Sequence, residues 1–330
     1  MKNYEEVVGI DVSKKTLDAY CHQAQVHKVF SNDVIGYKSL LKWVLMVSKY
    51  GKVFYCFENT GYYSLKSALC LSSRSIVYVE ESPLKIKRSS GIVKEKTDRI
   101  DAVLIARYAW LYREELTASS VKSMSQLELG RLLALRDQLV RNNAGLKGTL
   151  KEMKVLLSSS STDVGCLSLK RSIDYIEKQV KSIETRIRDI LSSDASMSKN
   201  YELLTSLKGI ALVVACQLIY HTGNFTRFAS WRAFSSYCGT APFKHESGTS
   251  IHRRKQCHYL GDRKMKSLLS MASISAIQHD SELRLYYNRK LAAGKDKMLA
   301  INNVRNKLIA RAFAVVKRGT PYVVLQQHAA

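Results

Sequence analysis

The sequence predicts an α/β domain followed by an all-α region. Three patterns in the 330 residues indicate this architecture. In the first part, short apolar β-rich runs alternate with stretches of helical periodicity, which is typical of an α/β sheet. Residues 125–195 instead repeat apolar side chains every three or four positions. Further helical patterns follow, so we expect an α/β domain at 1–120, a coiled-coil helical arm at 121–197 and a helical C-terminal domain at 198–330.

The α/β domain is predicted to contain five strands and three helices. The apolar, period-two or β-branched runs predict strands at 7–12, 14–21, 26–30, 52–58 and 75–80. Apolar spacing of three and four predicts helices at 37–50, 61–71 and 97–111, the first closed by Gly51 as a C-cap. After Pro83 we expect a basic polar loop, LKIKRSSGIVKEK.

The arm is predicted to consist of two heptad-like helices separated by the serine-rich segment 158–162. The predicted apolar seam of the first helix passes through Leu132, Leu135 and Leu139 and continues to Asn142, which would set the register. Two interpretations remain open, an intramolecular helical hairpin and a dimerisation arm.

The C-terminal domain is predicted to begin with two helices joined by an LKGIA turn. This turn resembles the helix-hairpin-helix module, whose turn amides hold a phosphate, although Ala211 stands where the second glycine is usual. A polar loop is expected at 239–259. Two helices, at 262–278 and 295–317, are then expected, the last of them strongly basic.

The charge of the chain points to a polyanionic partner. Lys and Arg number 52 against 28 Asp and Glu, a net charge of +24. Residues 241–330 carry 17 basic and 5 acidic side chains, so half of the net charge lies in about a quarter of the chain. Nucleic acid is the expected partner, with its phosphates bound mainly by the C-terminal part.

The sequence gives no sign of export or of a membrane. It opens without a charged leader and apolar h-region, and its most apolar run is too short for the ~20 residues of a span. The seven cysteines form no C-x-x-C pair, which favours reduced thiols. We therefore expect a cytoplasmic protein.

Asp11 is the carboxylate set into the first apolar strand, VVGIDVS. At period two it shares a face with Val7 and Gly9. An unpaired carboxylate on a buried strand is unfavourable by on the order of several kcal/mol, so a cation or a bound proton must compensate it. Two interpretations remain open at this point: a metal ligand, or a strand-end carboxylate that caps a turn or pairs with Lys14 or Lys15.

Three further carboxylates share this ambiguity. Glu58 ends the fourth predicted strand, and Asp98 and Asp101 lie at i and i+3 in the first turn of helix 97–111. Acidic residues there also complement the helix dipole, so the pair has a purely structural explanation as well. If two central strands and this helix meet at one end of the sheet, all four carboxylates could converge. Such a cluster of hard oxygen ligands suits Mg²⁺ or Mn²⁺ and phosphoryl transfer.

This strand-strand-helix placement of acids resembles the ribonuclease H fold, in particular its RuvC-type branch. Sugar kinases and actin-like ATPases share the fold class but need a glycine-rich phosphate loop after the aspartate, whereas DVSKKT follows here. Exonucleases of the Asp-Glu-Asp-Asp class carry D-x-E in the first strand, whereas this strand has Asp11-Val12-Ser13. Both classes are therefore disfavoured.

Longer motifs extend the resemblance over nearly the whole chain. The segments VGIDVSKKTLD, FENTGYYSLKSAL and ESPLKIKRSSGIVKEKTDRIDAVLIARYA resemble the catalytic domain of insertion sequence 110 family transposases, relatives of the Piv DNA invertase. SLKGIALVVACQLI and FASWRAFSSYCGTAPFKHESGTS resemble that family's second conserved domain. Ser82 is a departure, because members often have Asn before the proline that is Pro83 here.

The resemblance implies a site-specific DNA transposase or recombinase of a bacterial or archaeal mobile element, associated with the nucleoid. Asp11, Glu58, Asp98 and Asp101 would be the metal-binding carboxylates, for Mg²⁺ or Mn²⁺. Ser247, in the ESG segment, would be the nucleophile that bonds to a DNA phosphate. The resemblance also implies a structured noncoding guide RNA, and a homodimer, built by the coiled coil, that assembles to a tetramer.

Two competing functions remain. In a RuvC-type, metal-dependent junction nuclease, water would attack the phosphate and Ser247 would lie in an ordinary turn. A noncatalytic nucleic-acid-binding protein would keep the fold and the charge without using the carboxylates.

Overall fold

The computed structural model describes residues 3–48, 51–91, 97–156, 163–247 and 251–323. The side chains of 156, 244–247 and 251–255 lie outside that description. The chain divides into two compact units, Met1–Val121 and Lys122–Ala330. The first is mixed α/β, and the second is helical apart from one β-hairpin.

Five strands form the sheet of the first unit, in the order β3-β2-β1-β4-β5. They are Glu6–Val12 (β1), Thr16–Cys21 (β2), Val26–Ser31 (β3), Val53–Glu58 (β4) and Tyr78–Glu81 (β5). β2 runs antiparallel to both β1 and β3, while β4 lies parallel to β1 and β5 parallel to β4. The parallel half places the carboxyl ends of β1, β4 and β5 at one edge of the sheet.

Helices cover both faces of this sheet. Val34–Val47 (α1) and Tyr62–Ser72 (α2) pack on the face formed by Val8, Ile10 and Val12. Pro83–Ser89 (α3) and Asp98–Leu111 (α4) pack on the opposite face, beside Val7. Because successive strand residues point to opposite faces, β1 is buried on both sides. The predicted α/β domain therefore has a three-layer structure.

Two details of the first unit differ from the prediction. The segment after Pro83 was expected to be a loop, but its first residues form α3, with Pro83 at the first helical position, where a missing N–H is harmless. The second strand begins at Thr16 and not at 14, because Ser13 and Thr16 form a turn in which the Thr16 amide donates to Ser13 Oγ at 3.0 Å.

The second unit consists of eight helices and one hairpin in the described residues. The helices are Met124–Leu156 (α5), Val164–Ser193 (α6), Ala195–Thr205 (α7), Leu212–Thr222 (α8), Trp231–Tyr237 (α9), Arg263–His279 (α10), Ser281–Ala292 (α11) and Lys297–Arg318 (α12), and the hairpin is Pro242–Ser247 (β6) with Ile251–Cys257 (β7). One apolar core joins residues from α5 to α12. No helix of the described residues is both long enough and apolar enough to cross a bilayer.

The two long helices α5 and α6 pack against each other, but the predicted seam of α5 is wrong in part. Leu135 is 43 % exposed and Asn142 is exposed, whereas Leu129 and Leu133 are buried. The reason is that α5 also packs on α8: a β-carbon on Gly130 would lie 2.1 Å from the Tyr220 ring. The buried stripe of α5 is therefore shared between two neighbours.

The C-terminal part also differs from the prediction. The expected polar loop at 239–259 contains the hairpin β6–β7. A helix that was not predicted, α11, lies between the two that were. Asp280 explains this break, because it ends α10 and its side chain caps α11 by accepting from the Leu283 amide at 2.9 Å.

Candidate active site

Asp11 lies near the carboxyl end of β1, on the face that carries α4. Its neighbour at period two, Gly9, makes the approach of that helix possible. A β-carbon on Gly9 would lie 2.4 Å from the backbone nitrogen of Ala106 and 2.5 Å from the backbone oxygen of Ala102. Only glycine allows this contact between strand and helix. Close packing at Gly9 therefore holds the first turn of α4 beside Asp11.

Glu58 reaches the same edge from β4. Phe54 and Cys56, which share its face by period two, pack in the core beneath α4. The parallel register pairs Gly9 with Cys56, so that Glu58 comes alongside Asp11 two residues further on. Glu58 is half-buried.

Asp98 and Asp101 occupy the first turn of α4. Thr97 caps this helix, with Oγ1 accepting from the Ile100 amide at 3.3 Å, and so fixes where the turn begins. Asp98 is exposed and Asp101 is half-buried. The dipole of α4 stabilises both charges, and the contact at Gly9 places them near the end of β1.

The electrostatics of Asp11 agree with this arrangement. Burial is the main cause that raises the pKa of Asp11 from 3.8 to about 6, and the charges of Asp101, Asp98 and Glu58 add to it in that order. The structure thus places the other three predicted carboxylates near Asp11.

Two acidic residues that the sequence analysis missed extend this group into a row across four strands. Asp18 on β2 lies directly opposite Asp11, and Glu81 on β5 lies directly beside Glu58. Asp18 is buried and bonds to His27 Nε2 at 3.0 Å. Glu81 accepts from the Tyr108 hydroxyl and from Lys85 Nζ, both at 3.1 Å. Their position at period two on the faces of β2 and β5 is a signal in the sequence, but only the register shows what they adjoin.

The donor set fits a hard divalent cation by its chemistry. All four predicted ligands offer carboxylate oxygens, and no Lys or Arg of the described residues forms an ion pair with Asp11, Asp98 or Asp101. No three His, Cys, Asp or Glu side chains in the same residues stand close enough to form a ready-made metal site. The carboxylates therefore lie near Asp11, but in the described residues they are not close enough together to coordinate one ion as they stand.

Ser247 belongs to the second unit. It is the last residue of β6 and pairs with Ile251, the first residue of β7, across the end of the hairpin. Its side chain lies outside the described residues. At the other end of the hairpin, Asn302 and Asn306 of α12 both donate to the Thr240 carbonyl, at 2.9 and 3.0 Å. The base of the hairpin is therefore fixed to α12.

The turn between α7 and α8 has a structural reason for its glycine. Gly209 adopts a φ of +91°, and a β-carbon there would lie 2.4 Å from the Ala272 carbonyl of α10. The turn therefore packs closely against α10. Ala211 precedes α8 without a side-chain cap.

The cysteines of both units are free thiols. They are Cys166, Cys216, Cys238 and Cys257 in the second unit and three further cysteines in the first unit.

Comparison with known proteins identifies the family. A family model described as a transposase, of the DEDD insertion sequence 110 type, matches residues 8–157, and the model of the IS116/IS110/IS902 transposase family matches residues 201–288. The first match contains all four carboxylates, and the second contains the hairpin with Ser247.

Similar proteins agree with these matches. The pilin gene-inverting proteins of Moraxella bovis and Moraxella lacunata are each 26 % identical over 323 residues, covering 96 % of this chain and 97 % of theirs. An uncharacterised 43.6 kDa protein of the insertion element IS110 of Streptomyces coelicolor is 29 % identical over 174 residues, covering 52 % of this chain and 42 % of its own. The chain therefore belongs to the IS110 family of transposases and is an enzyme of the DNA transposase and recombinase class.

Proposed function

We propose that this protein is a site-specific DNA recombinase that cleaves and rejoins strands with a metal-bound acidic cluster and a serine nucleophile. The observation that supports the proposal most is geometric: the parallel register of β1 and β4 and the close contact of Gly9 with α4 set Glu58, Asp98 and Asp101 near Asp11. The raised pKa of Asp11, about 6, agrees with this arrangement. A fold that gathers carboxylates from two strands and a helix at one half-buried aspartate concentrates negative charge at that point. Divalent cations are the usual compensation for such a cluster.

The proposed fold of the first unit is ribonuclease H-like, of the RuvC type. Its support is the strand order β3-β2-β1-β4-β5, with an antiparallel β1–β2–β3 meander and parallel β4 and β5. Asp11 on the central strand and Glu58 on its parallel neighbour then lie at one edge, where α4 crosses. We retain a three-part division of the chain, 1–120, 121–197 and 198–330, with the α5–α6 pair as a coiled-coil arm.

Asp11, Glu58, Asp98 and Asp101 would hold Mg²⁺ or Mn²⁺. When bound, the cation supplies positive charge to the phosphate and to the oxygens that attack and leave. Asp11, which is half-buried on the central strand, would anchor the ion from the rigid sheet. Asp98 and Asp101 would bind the ion from the first turn of α4. His27 and Tyr108 would position Asp18 and Glu81, the two outer members of the row, through their hydrogen bonds.

In the proposed attack by serine, one bond forms and one bond breaks. The Ser247 Oγ attacks the phosphorus of a DNA phosphodiester, an O–P bond to serine forms, and the P–O bond to the departing sugar oxygen breaks. The hydroxyl proton passes to a base, and the departing oxygen takes up a proton. Attack by the hydroxyl of a second strand would reverse the step and join the new ends, which conserves the energy of the phosphodiester.

The partners proposed beyond DNA are a structured noncoding guide RNA and further copies of the chain. The net charge of +24 suits phosphate backbones, which carry little sequence information themselves. Site selection by pairing with an RNA would supply the missing specificity. A homodimer built by the α5–α6 arm, assembling to a tetramer, would bring two DNA sites together.

A covalent-adduct assay tests the proposed function. Full-length protein is incubated with Mg²⁺ and the DNA of its own element, with the element's noncoding transcript, and protein–DNA adducts are separated under denaturing conditions. We expect an adduct with the wild-type chain, none with Ser247→Ala, and an unchanged yield with Ser250→Ala, a hydroxyl in the same segment. Cleavage that persists in Ser247→Ala without any adduct would identify a junction nuclease in its place. If Asp11→Asn left every DNA-processing activity of the mobile element unchanged, the protein would be a noncatalytic binder.

A further inference from the structure

An exposed aromatic surface lies at the base of the β6–β7 hairpin. It consists of Phe243, His258, Tyr259 and Leu260, and we call it the aromatic platform. Phe243 is 44 % exposed, Tyr259 68 % and Leu260 46 %. The rings of His258 and Tyr259 stack at 4.6 Å, and Phe243 meets the His258 ring edge-on at 6.5 Å. Exposed aromatic groups arranged in contact with one another usually mark a binding surface.

The platform is held rigidly. Gly261 and Gly239 pack backbone against backbone, because a β-carbon on Gly261 would lie 2.2 Å from the Gly239 Cα. The Asp262 amide donates to the Tyr237 carbonyl at 2.9 Å, and the Leu260 amide donates to His258 Nδ1 at 3.2 Å. These bonds tie the 258–261 turn to the end of α9. A surface fixed in this way binds without a large loss of conformational freedom.

A shallow pocket opens beside the platform. It is lined by Phe243, His258 and Leu260 on one side and by Ser236, Tyr237 and Gly261 on the other. The Tyr237 hydroxyl is already bonded to Asp262 Oδ2 at 3.2 Å, so the pocket offers chiefly ring faces and edges. Its chemistry suits a flat, apolar-faced group and not a free ion.

The charge beside the platform selects nucleic acid over protein as the partner. The next strand carries His252, Arg253, Arg254 and Lys255 in its sequence, and residues 241–330 have a net charge of +12. Aromatic side chains next to a basic strand are the combination that binds unpaired bases, with cations on the backbone and rings on the bases. A protein-docking face would instead present a wide apolar surface of a few hundred Å².

We propose that Phe243, His258 and Tyr259 form a stacking surface for an unpaired base of the DNA strand that Ser247 attacks. This inference rests on the proposed function in choosing DNA and in taking Ser247 as the attacking residue. Phe243 and Ser247 lie four residues apart on β6, at most about 13 Å along the strand, because the pairing is irregular between Phe243 and His245. That length corresponds to roughly four nucleotides at the rise of one DNA strand. The stacked base would fix the register of the strand relative to Ser247.

A fluorescence titration tests the proposal. Full-length Ser247→Ala protein, which binds without cutting, is titrated without divalent ions with single-stranded DNA that carries 2-aminopurine at successive positions. Stacking quenches this base, so we expect quenching at one position. Adding Tyr259→Leu should abolish that quenching and weaken binding about tenfold, since one stacked base contributes about 1–3 kcal/mol. Tyr259→Phe in the same Ser247→Ala protein should keep both the quenching and the affinity of the parent.

Matched controls separate stacking from damage to the fold. Tyr175→Leu alters a tyrosine of α6 that is 64 % exposed and should leave binding unchanged, and fully paired DNA should bind all variants alike. Binding by Tyr259→Leu as tight as by its parent, or equal losses in Tyr175→Leu, would overturn the proposal. A loss seen only with RNA of the same sequence would overturn the choice of DNA. A Tyr259 effect on binding persists even if Ser247 proves not to form adducts, so the two proposals fail separately.

Discussion

The Ala106 backbone nitrogen of α4 lies 2.4 Å from the place where a β-carbon on Gly9 would be. This contact joins the central strand to the helix that carries Asp98 and Asp101. Asp11 follows two residues later on the same face of β1. The convergence of the carboxylates therefore depends on one glycine that has no chemical role of its own.

Replacing Gly9 tests this dependence. We expect Gly9→Ala to lower the free energy of unfolding by about 1–3 kcal/mol, because α4 must move away from β1. The same movement should carry Asp101 away from Asp11 and lower the pKa of Asp11. Urea denaturation followed by circular dichroism measures the first effect, and NMR titration of the Asp11 carboxyl measures the second.

A matched glycine provides the control. A β-carbon on Gly148, in the exposed part of α5, would meet nothing within 4 Å. Gly148→Ala should therefore stabilise the protein, by up to about 1 kcal/mol, through helix propensity alone. Equal effects of the two substitutions would contradict a close packing at Gly9.

The raised pKa of Asp11 predicts a pH dependence of stability. Its pKa is about 6 in the folded chain against an ordinary 3.8, so the folded state favours the protonated form. The associated stability is complete below about pH 4 and is lost as the pH rises through 6. After a discount for solvent screening of this half-buried group, the loss amounts to roughly 1–2 kcal/mol.

Denaturation at pH 4, 5, 6 and 7 without divalent ions measures this loss. Asp11→Asn, which resembles the protonated form, should lack it and should exceed the wild type in stability above pH 6. Asp98→Asn or Asp101→Asn should move the transition to lower pH, since each removes a repelling charge. A wild-type profile that coincides with that of Asp11→Asn would show that the carboxylate is not perturbed.

Sequence patterns predicted the helices and strands of the first unit better than they predicted which residues of neighbouring elements lie side by side. Period two places Asp11 on a face with Gly9, and helical spacing places Asp98 with Asp101, because both depend on local geometry. Asp18 and Glu81 escaped notice because their neighbours are set by strand register, a nonlocal property. The sequence analysis ended the fifth strand at residue 80, one residue before Glu81 pairs with Glu58.

The second unit shows the same limit. The seam expected through Leu135 and Asn142 assumed a single partner for α5, whereas Gly130 and Tyr220 show that α8 takes part of its surface. The hairpin at 242–257 was expected to be a loop, because a polar, cation-rich strand lacks the apolar alternation that identifies buried strands. Its pairing is fixed in part by bonds from α12 to Thr240, which no local pattern predicts.

A buried ion pair joins α12 to the junction of α10 and α11. Arg311 Nη1 bonds to Asp280 Oδ2 at 2.8 Å, and the Asp280 side chain is only 2 % exposed. Arg311→Ala should lower the free energy of unfolding by about 3 kcal/mol, chiefly because it leaves the buried Asp280 carboxylate without its cation. Arg311 also pairs with the half-exposed Glu282 at 2.6 Å, which adds little. Lys307 lies on the same helix and pairs with the half-exposed Glu282 at 3.7 Å. Lys307→Ala should therefore change the free energy of unfolding by less than about 1 kcal/mol. Similar losses in both variants would mean that Asp280 does not depend on Arg311.

Binding of Mn²⁺ to the full-length protein tests the account most directly. Calorimetric titration at pH 7 should show saturable binding to the wild-type chain, and this binding should be lost or weakened at least tenfold in Asp11→Asn and in Asp101→Asn. Asp174→Asn, an exposed aspartate of α6, should bind as the wild type does. Undiminished Mn²⁺ binding by Asp11→Asn and Asp101→Asn would contradict the proposal that these carboxylates together hold the catalytic ion.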